Sequence, residues 1–262
     1  AEFGNRYKAW LARHGIEVRL RSSQGAAENL ELLRDPDAGV AIAFVQGGAD
    51  AQPSVPGQAK DDGLVALGSL FPEPVWLFYR EDVARKRLRR DTIDVLADLR
   101  GWRLNVGSPG SGVPNLMARL FDANRVDPSA LRLQMLGETP AVAAMLDGNT
   151  DAVVFASAPE SLLVQMLLQT PGIRLFDFAQ ADAYTRRYPF LGPVTLPRGV
   201  VDLARDMPPA NIRMIAPTAT LVARESTHPA LVQLFVQAAK QIHSGAGWFN
   251  RKGDFPNIAN TE

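Results

Sequence analysis

Short apolar runs alternate with amphipathic segments over most of the chain, and that alternation limits the folds open to it. Trp102–Val106 leads through a run of small residues into a segment whose Val113, Leu116, Met117, Leu120 and Phe121 recur at helical spacing. Leu131–Leu136 precedes a helix expected over Thr139–Leu146, and Ala152–Ala156 precedes one over Pro159–Gln169. Ile173–Phe178 closes the series. Strands separated by helices imply a mainly parallel, helix-covered sheet.

The flanking sequence continues the pattern less regularly. A helix over Asn5–Arg13 ends at His14-Gly15, and Ile16–Arg21 alternates apolar and charged residues as a strand. Ala26–Arg34 reads as a short helix and Val40–Val45 as a buried strand, with Ala49–Asp62 a proline-containing loop. Strands follow at Leu64–Leu70 and Pro74–Tyr79, then a helix at Asp91–Leu99. The basic run Arg85–Arg90 reads as a solvated loop or helix face, since acidic residues follow it closely. Ala179–Pro209, with five prolines, reads as a linker returning to the first lobe. Ile212–Ala216 and Ala219–Ala223 are strands around Pro217, and His228–His243 is a closing helix. The expected fold is α/β with two lobes joined by crossing strands and a cleft between them: residues 1–86 and 211–262 in lobe I, 87–210 in lobe II.

The 262 residues suffice for two lobes, and 28 basic residues balance 28 acidic ones, so charge gives no reason to expect nucleic acid or an anionic membrane as partner. Without cysteine, disulfides, thiol catalysis and cysteine-ligated metals are excluded; the lack of cysteine suits an oxidising compartment. The three histidines, His14, His228 and His243, are not spaced with one another or with carboxylates as metal ligands, so neither a metal nor a cofactor is expected. No run approaches the roughly 20 apolar residues of a spanning helix.

The loop Gly107-Ser108-Pro109-Gly110-Ser111-Gly112-Val113-Pro114 sits between strand and helix. At such a junction unpaired amides and the helix dipole favour an anion, while glycines admit it close to the backbone. Its spacing matches neither common nucleotide loop, so a carboxylate fits better than a triphosphate. The alternative is a plain turn in which Ser111 caps the helix. Ser22-Ser23-Gln24-Gly25 and Gln46-Gly47-Gly48 repeat the arrangement at other strand ends, where ligands of open α/β sheets bind.

The runs Ser22–Leu30, Val40–Gln46 and Val106–Gly112 together resemble the TAXI family of solute receptors, the extracytoplasmic substrate-binding subunits associated with TRAP transporters. Leu146-Asp147-Gly148, Tyr188-Pro189-Phe190 and Leu196-Pro197-Arg198-Gly199 are similar to a membrane-tethered subgroup. The resemblance implies a type II periplasmic-binding-protein fold, periplasmic location, a membrane tether outside this chain, and transporter subunits as partners. It implies capture of a small organic acid or acidic amino acid in the interlobe cleft. Ser108, Ser111, Gly112 and Val113 would hold its carboxylate, with Ser22, Ser23, Gly25 and Ala26 facing them. Gln46, Gly47, Glu73, Ser157 and Tyr188 would complete the wall, whereas Trp76 reads as core. Glu73 would receive an amino group or repel a second carboxylate, or stay solvated. The family's first strand and Gly-Gly-x-Tyr-type loop have no counterpart, because the chain begins at Ala1-Glu2-Phe3-Gly4 in the helix that follows.

Two other functions compete. An enzyme needs a nucleophile and a base, and the Ser108–Gly112 serines lack nucleophile-elbow spacing and a histidine partner. A ligand-responsive sensor would use the same architecture without a transporter.

Overall fold

The computed structural model describes residues 2–48, 63–159 and 161–257. In chain order the elements are α1 (Glu2–Ala12), α2 (Ala26–Arg34), β1 (Ile42–Gln46), β2 (Leu64–Pro72), β3 (Val75–Arg80), α3 (Glu81–Leu88), β4 (Arg103–Asn105), α4 (Val113–Ala123), β5 (Arg132–Gln134), α5 (Glu138–Leu146), β6 (Ala152–Ala156), α6 (Leu162–Leu168), β7 (Ile173–Leu175), α7 (Ala181–Arg187), β8 (Leu191–Leu196), β9 (Ile212–Arg224) and α8 (Pro229–His243). The loop expected over Ala49–Asp62 lies outside the described residues.

The chain forms two compact units, Ala1–Phe71 with Thr218–Glu262, and Pro72–Pro217. The chain passes between units after Phe71 and after Pro217, because β3 enters the five-stranded sheet of the second unit between β6 and β7, and β8 pairs with the first half of β9.

In the first unit β9 lies between β1 and β2. Tyr7, Trp10 and Leu11 of α1 pack with Leu67, Leu70, Leu221 and Ala238. Arg224, at the end of β9, donates to the carbonyls of Leu33 (2.8 Å), Leu32 and Asp35, placing a cation where the α2 dipole is negative. The strand expected at Ile16–Arg21 does not form. Its alternation turns Ile16 and Val18 onto the core, but no strand pairs with it among the described residues, and Ile16 N bonds back to Leu11 O.

The second unit is built on a sheet ordered β5-β4-β6-β3-β7. It is mixed, not mainly parallel: β4 runs parallel to β5 and β6, whereas β3 is antiparallel to β6 and β7. Periodicity reveals a buried strand but not its direction. Helix α4 buries the five apolar residues expected of it, each worth about 1.5–3 kcal/mol.

Three local expectations changed. Over Asp91–Leu99 only a 3₁₀ turn at Leu96–Leu99 forms, because the Asp98 carboxylate accepts from Asp94 N and Val95 N and draws that backbone out of an α-helix. The helix lies earlier, at α3, with Glu81 and Asp82 in its first turn and Arg85, Lys86 and Arg87 in its last, as the dipole favours. The proline-rich stretch contains α7 and β8, whose six residues pair with Ile212–Pro217. The two strands around Pro217 are one, because its carbonyl still accepts from Glu73 N at 2.8 Å.

Candidate functional site

The topology of the second unit gathers the carboxyl ends of β4, β5 and β6 with the amino end of β3 on one edge of the sheet. Val75 pairs with Ala156, and Ser157 N donates to Pro74 O, so Ser157 lies across from Pro74 and one residue short of Glu73. The β5–α5 turn is fastened next to them by Asn105. This fully buried side chain donates to Leu136 O at 3.1 Å and accepts from Leu136 N at 2.7 Å. Asn105 was not among the expected site residues. Its signal was one polar residue inside the apolar run Trp102–Val106, where a buried amide needs partners.

The small-residue loop adopts the strand–turn–helix form. Gly107 and Gly112 take φ of +86° and +82°, and a Cβ on Gly107 would lie 2.9 Å from Ser111 Oγ, so close approach demands glycine there. Ser111 Oγ donates to Ser108 O at 2.8 Å and accepts from Val113 N at 3.3 Å. That is the capping role, and it removes both the Ser111 proton and the Val113 amide from the expected carboxylate cradle. Ser108 Oγ and the Gly112 amide have no partner among the described residues and remain as donors.

Glu73 is half-buried. Burial pushes its carboxyl up to about 7, and the neighbouring charge of Glu138, at the start of α5, adds to the rise. Trp76 is core, as expected, and its Nε1 donates to Ser157 O at 2.8 Å, holding that turn in place. The Tyr188 hydroxyl donates to Arg119 O on α4 at 2.9 Å and its ring packs against the core, so it braces α4.

In the first unit, α2 runs antiparallel to β1, tied by Asn29 Nδ2 to Phe44 O at 2.9 Å, which brings Gly25 and Ala26 toward Gln46 and Gly47. Gln46 is 7% exposed, and its Nε2 is buried with no partner. Gly47 N donates to Thr218 O and so is committed to the backbone. The Ser22 and Ser23 hydroxyls make no hydrogen bond among the described residues. Glu28 caps the turn by accepting from Gln24 N at 2.7 Å.

A cavity of about 550 Å³ opens at the opposite end of the second unit's sheet, beside β7. Its cations are already paired: Arg213 with Asp177 of the lining at 2.5 Å, and Arg174 with Glu81 outside the lining at 2.6 Å. The strand-end turns, with their unpaired donors, are therefore the better candidate. Among the described residues no group of three His, Cys, Asp or Glu could hold a metal ion, and no helix is long and apolar enough to cross a membrane.

The sequence pattern of the NMT1-like family matches residues 3–242. This chain belongs to the NMT1-like family. Solved structures agree on the fold. The alkanesulfonate-binding protein SsuA from Xanthomonas axonopodis pv. citri, bound to MOPS, is similar at TM-score 0.54 and 15% identity, over 92% of this chain and 67% of that one. A periplasmic thiamin binding protein matches at 0.51 and 16%, over 98% and 80%. The regulatory domain of CcmR from Synechocystis PCC6803, in complex with 2-PG, matches at 0.55 and 13%, over 93% and 92%. The NMT1-like chain thus has the periplasmic-binding-protein fold, with an α/β sheet in each unit.

Proposed function

We propose that this NMT1-like protein is a periplasmic solute-binding protein of the TAXI type, which captures a small organic acid or acidic amino acid for a TRAP-type transporter and is tethered to the membrane by segments outside this chain. The observation that carries the reading is the turn before α4, where the free Gly112 amide and Ser108 hydroxyl stand at the head of an eleven-residue helix. A carboxylate there gains hydrogen bonds and the positive end of the helix dipole. Ser111 and Val113 shape this turn, while Ser157 and Glu73 border it. With its carboxyl near 7, Glu73 is partly protonated at neutral pH; it donates to a second ligand carboxylate when protonated and accepts from an amine when not. In the first unit Ser22, Ser23, Gly25 and Ala26 with the partnerless Gln46 amide supply a second donor set, and Gly47 fixes the backbone beside it. The role is binding, not catalysis: the Ser111 proton goes to a carbonyl, where a nucleophile would need a base.

Thermal-shift and calorimetric titration with dicarboxylates, keto acids and amino acids tests this. A melting shift that grows with ligand concentration, reduced in Ser108→Ala and in Gln46→Leu, is the expected result. Absence of any shift across all three classes refutes it. A second reading, a ligand sensor, is favoured by the likeness to the CcmR regulatory domain over nearly the full length of both chains. An adjacent gene for a multi-span transporter subunit supports uptake; a neighbourhood without one supports sensing.

A further inference from the structure

Among the described residues the five-stranded sheet of the second unit ends at β5, and no strand pairs with its outer edge. Arg132 N donates to Trp102 O and Gln134 O accepts from Val106 N, so residues 132 and 134 face β4. The amides and carbonyls of Leu133 and Met135 therefore point away from the sheet. Side chains do not cover them: Leu133 is 40% exposed, Met135 51% and Leu136 38%. Exposed strand edges are ordinarily blunted by lysine, proline or a bulge, yet Leu133–Leu136 carries no charge, proline or glycine.

We propose that β5 is a self-association edge, at which two copies of this chain pair antiparallel across a two-fold axis centred on Gln134. The register follows from which groups are free. Leu133 exchanges both backbone hydrogen bonds with the second copy's Met135, and Met135 does so with its Leu133, giving four bonds in all. Gln134 then lies opposite its own counterpart as a non-hydrogen-bonded pair. Because the axis maps the segment onto itself, the same five residues serve both sides. The side chains agree with this register. Leu133 and Met135 share one face and meet their counterparts, an apolar pair on each side of the axis. Arg132 falls opposite Leu136, which sets the two arginines four residues apart along the ladder, about 13 Å, beyond a Debye length at physiological salt. A shift that placed Arg132 against Arg132 would lose this separation. The edge is short, bounded by the 3₁₀ turn at Pro128–Ala130 and by the start of α5. It buries less than the roughly 1,600 Å² of a stable interface, so the dimer is weak and forms at high local concentration.

The absence of cysteine makes the register testable. Gln134→Cys puts a single thiol at the axis, where directly opposed Cβ atoms about 4.5–5.5 Å apart lie near disulfide range. Under mild oxidation this variant is expected to form a reducible dimer at least about tenfold faster than Leu203→Cys, an 87% exposed control outside the edge. Sedimentation velocity should show concentration-dependent dimerisation that Leu133→Lys with Met135→Lys weakens by about tenfold or more, with the melting temperature unchanged. Equal cross-linking of the two cysteine variants overturns the register. A monomer at every concentration overturns the proposal. So does a dimer indifferent to the lysines, which would place self-association on another surface.

Discussion

His243 carries a pH-dependent cost that can be worked from its surroundings. It is 7% exposed in the first unit's core, with its ring centroid 4.8 Å from Phe3, 5.3 Å from Phe71 and 5.7 Å from Tyr7. Its Nε2 has no hydrogen-bond partner, and neither has the Tyr7 hydroxyl. Burial, aided by the nearby charge of Arg6, lowers the imidazole from 6.5 to about 4. Between those values the unfolded chain binds a proton that the folded chain does not, so stability is full above about pH 7 and falls as the pH drops toward 4. At about 1.4 kcal/mol per tenfold change in proton affinity, the loss from this group is about 2 kcal/mol by pH 5 and about 3 kcal/mol near pH 4. Carboxylates also titrate in that range, so the informative quantity is the difference between the parent and His243→Phe, which keeps an aromatic ring and removes the proton site. Urea unfolding at pH 7.5, 6, 5 and 4.5, followed by circular dichroism, should show the variant gaining on the parent by about 2 kcal/mol between pH 7.5 and 5. Identical pH dependence in the two proteins, or an NMR titration of the His243 ring near 6.5, refutes the reasoning.

Other expectations concern the strand-end turns and their supports. Ser111→Asp places a like charge at the head of α4 and should weaken an acidic ligand by about tenfold in calorimetry; unchanged affinity would remove that turn from the site. Asn105→Leu leaves the Leu136 amide and carbonyl unpaired and should lower unfolding free energy by about 2–4 kcal/mol in urea titration, with ligand affinity falling as the β5–α5 turn loosens. Burial alone would raise the Asp151 carboxyl, but hydrogen bonds from the Arg103 side chain and amide outweigh it and hold the pKa low. Arg103→Leu should therefore cost about 2–3 kcal/mol at pH 7, and the deficit should shrink as acid protonates Asp151.

The candidate site was partly legible. The glycines and serines of 107–112 marked a turn before a helix, because those residues at that spacing have few other uses. Ser111 shows the limit: a serine hydroxyl reads the same in sequence whether it awaits a ligand or caps its own turn, and only the 2.8 Å bond to Ser108 O separates the two. Tyr188 shows it again, since its partner Arg119 O is 69 residues away in the chain. Asn105, Asn29 and Arg224 were missed because each acts through backbone groups distant in sequence.

The sequence by itself determined which segments are helix and strand wherever an apolar period runs long enough, as at α2, α4, β6 and α8. It also determined that chemistry here proceeds without thiols. Those properties depend on neighbours within a few residues along the chain. Tertiary structure alone decided that β3 runs antiparallel in the second unit's sheet and that, among the described residues, Ile16–Arg21 finds no strand partner and β5 ends its sheet with two backbone positions unpaired. Strand direction and edge position are set by which remote segment supplies the facing hydrogen bonds, and the side-chain period is the same in every such arrangement.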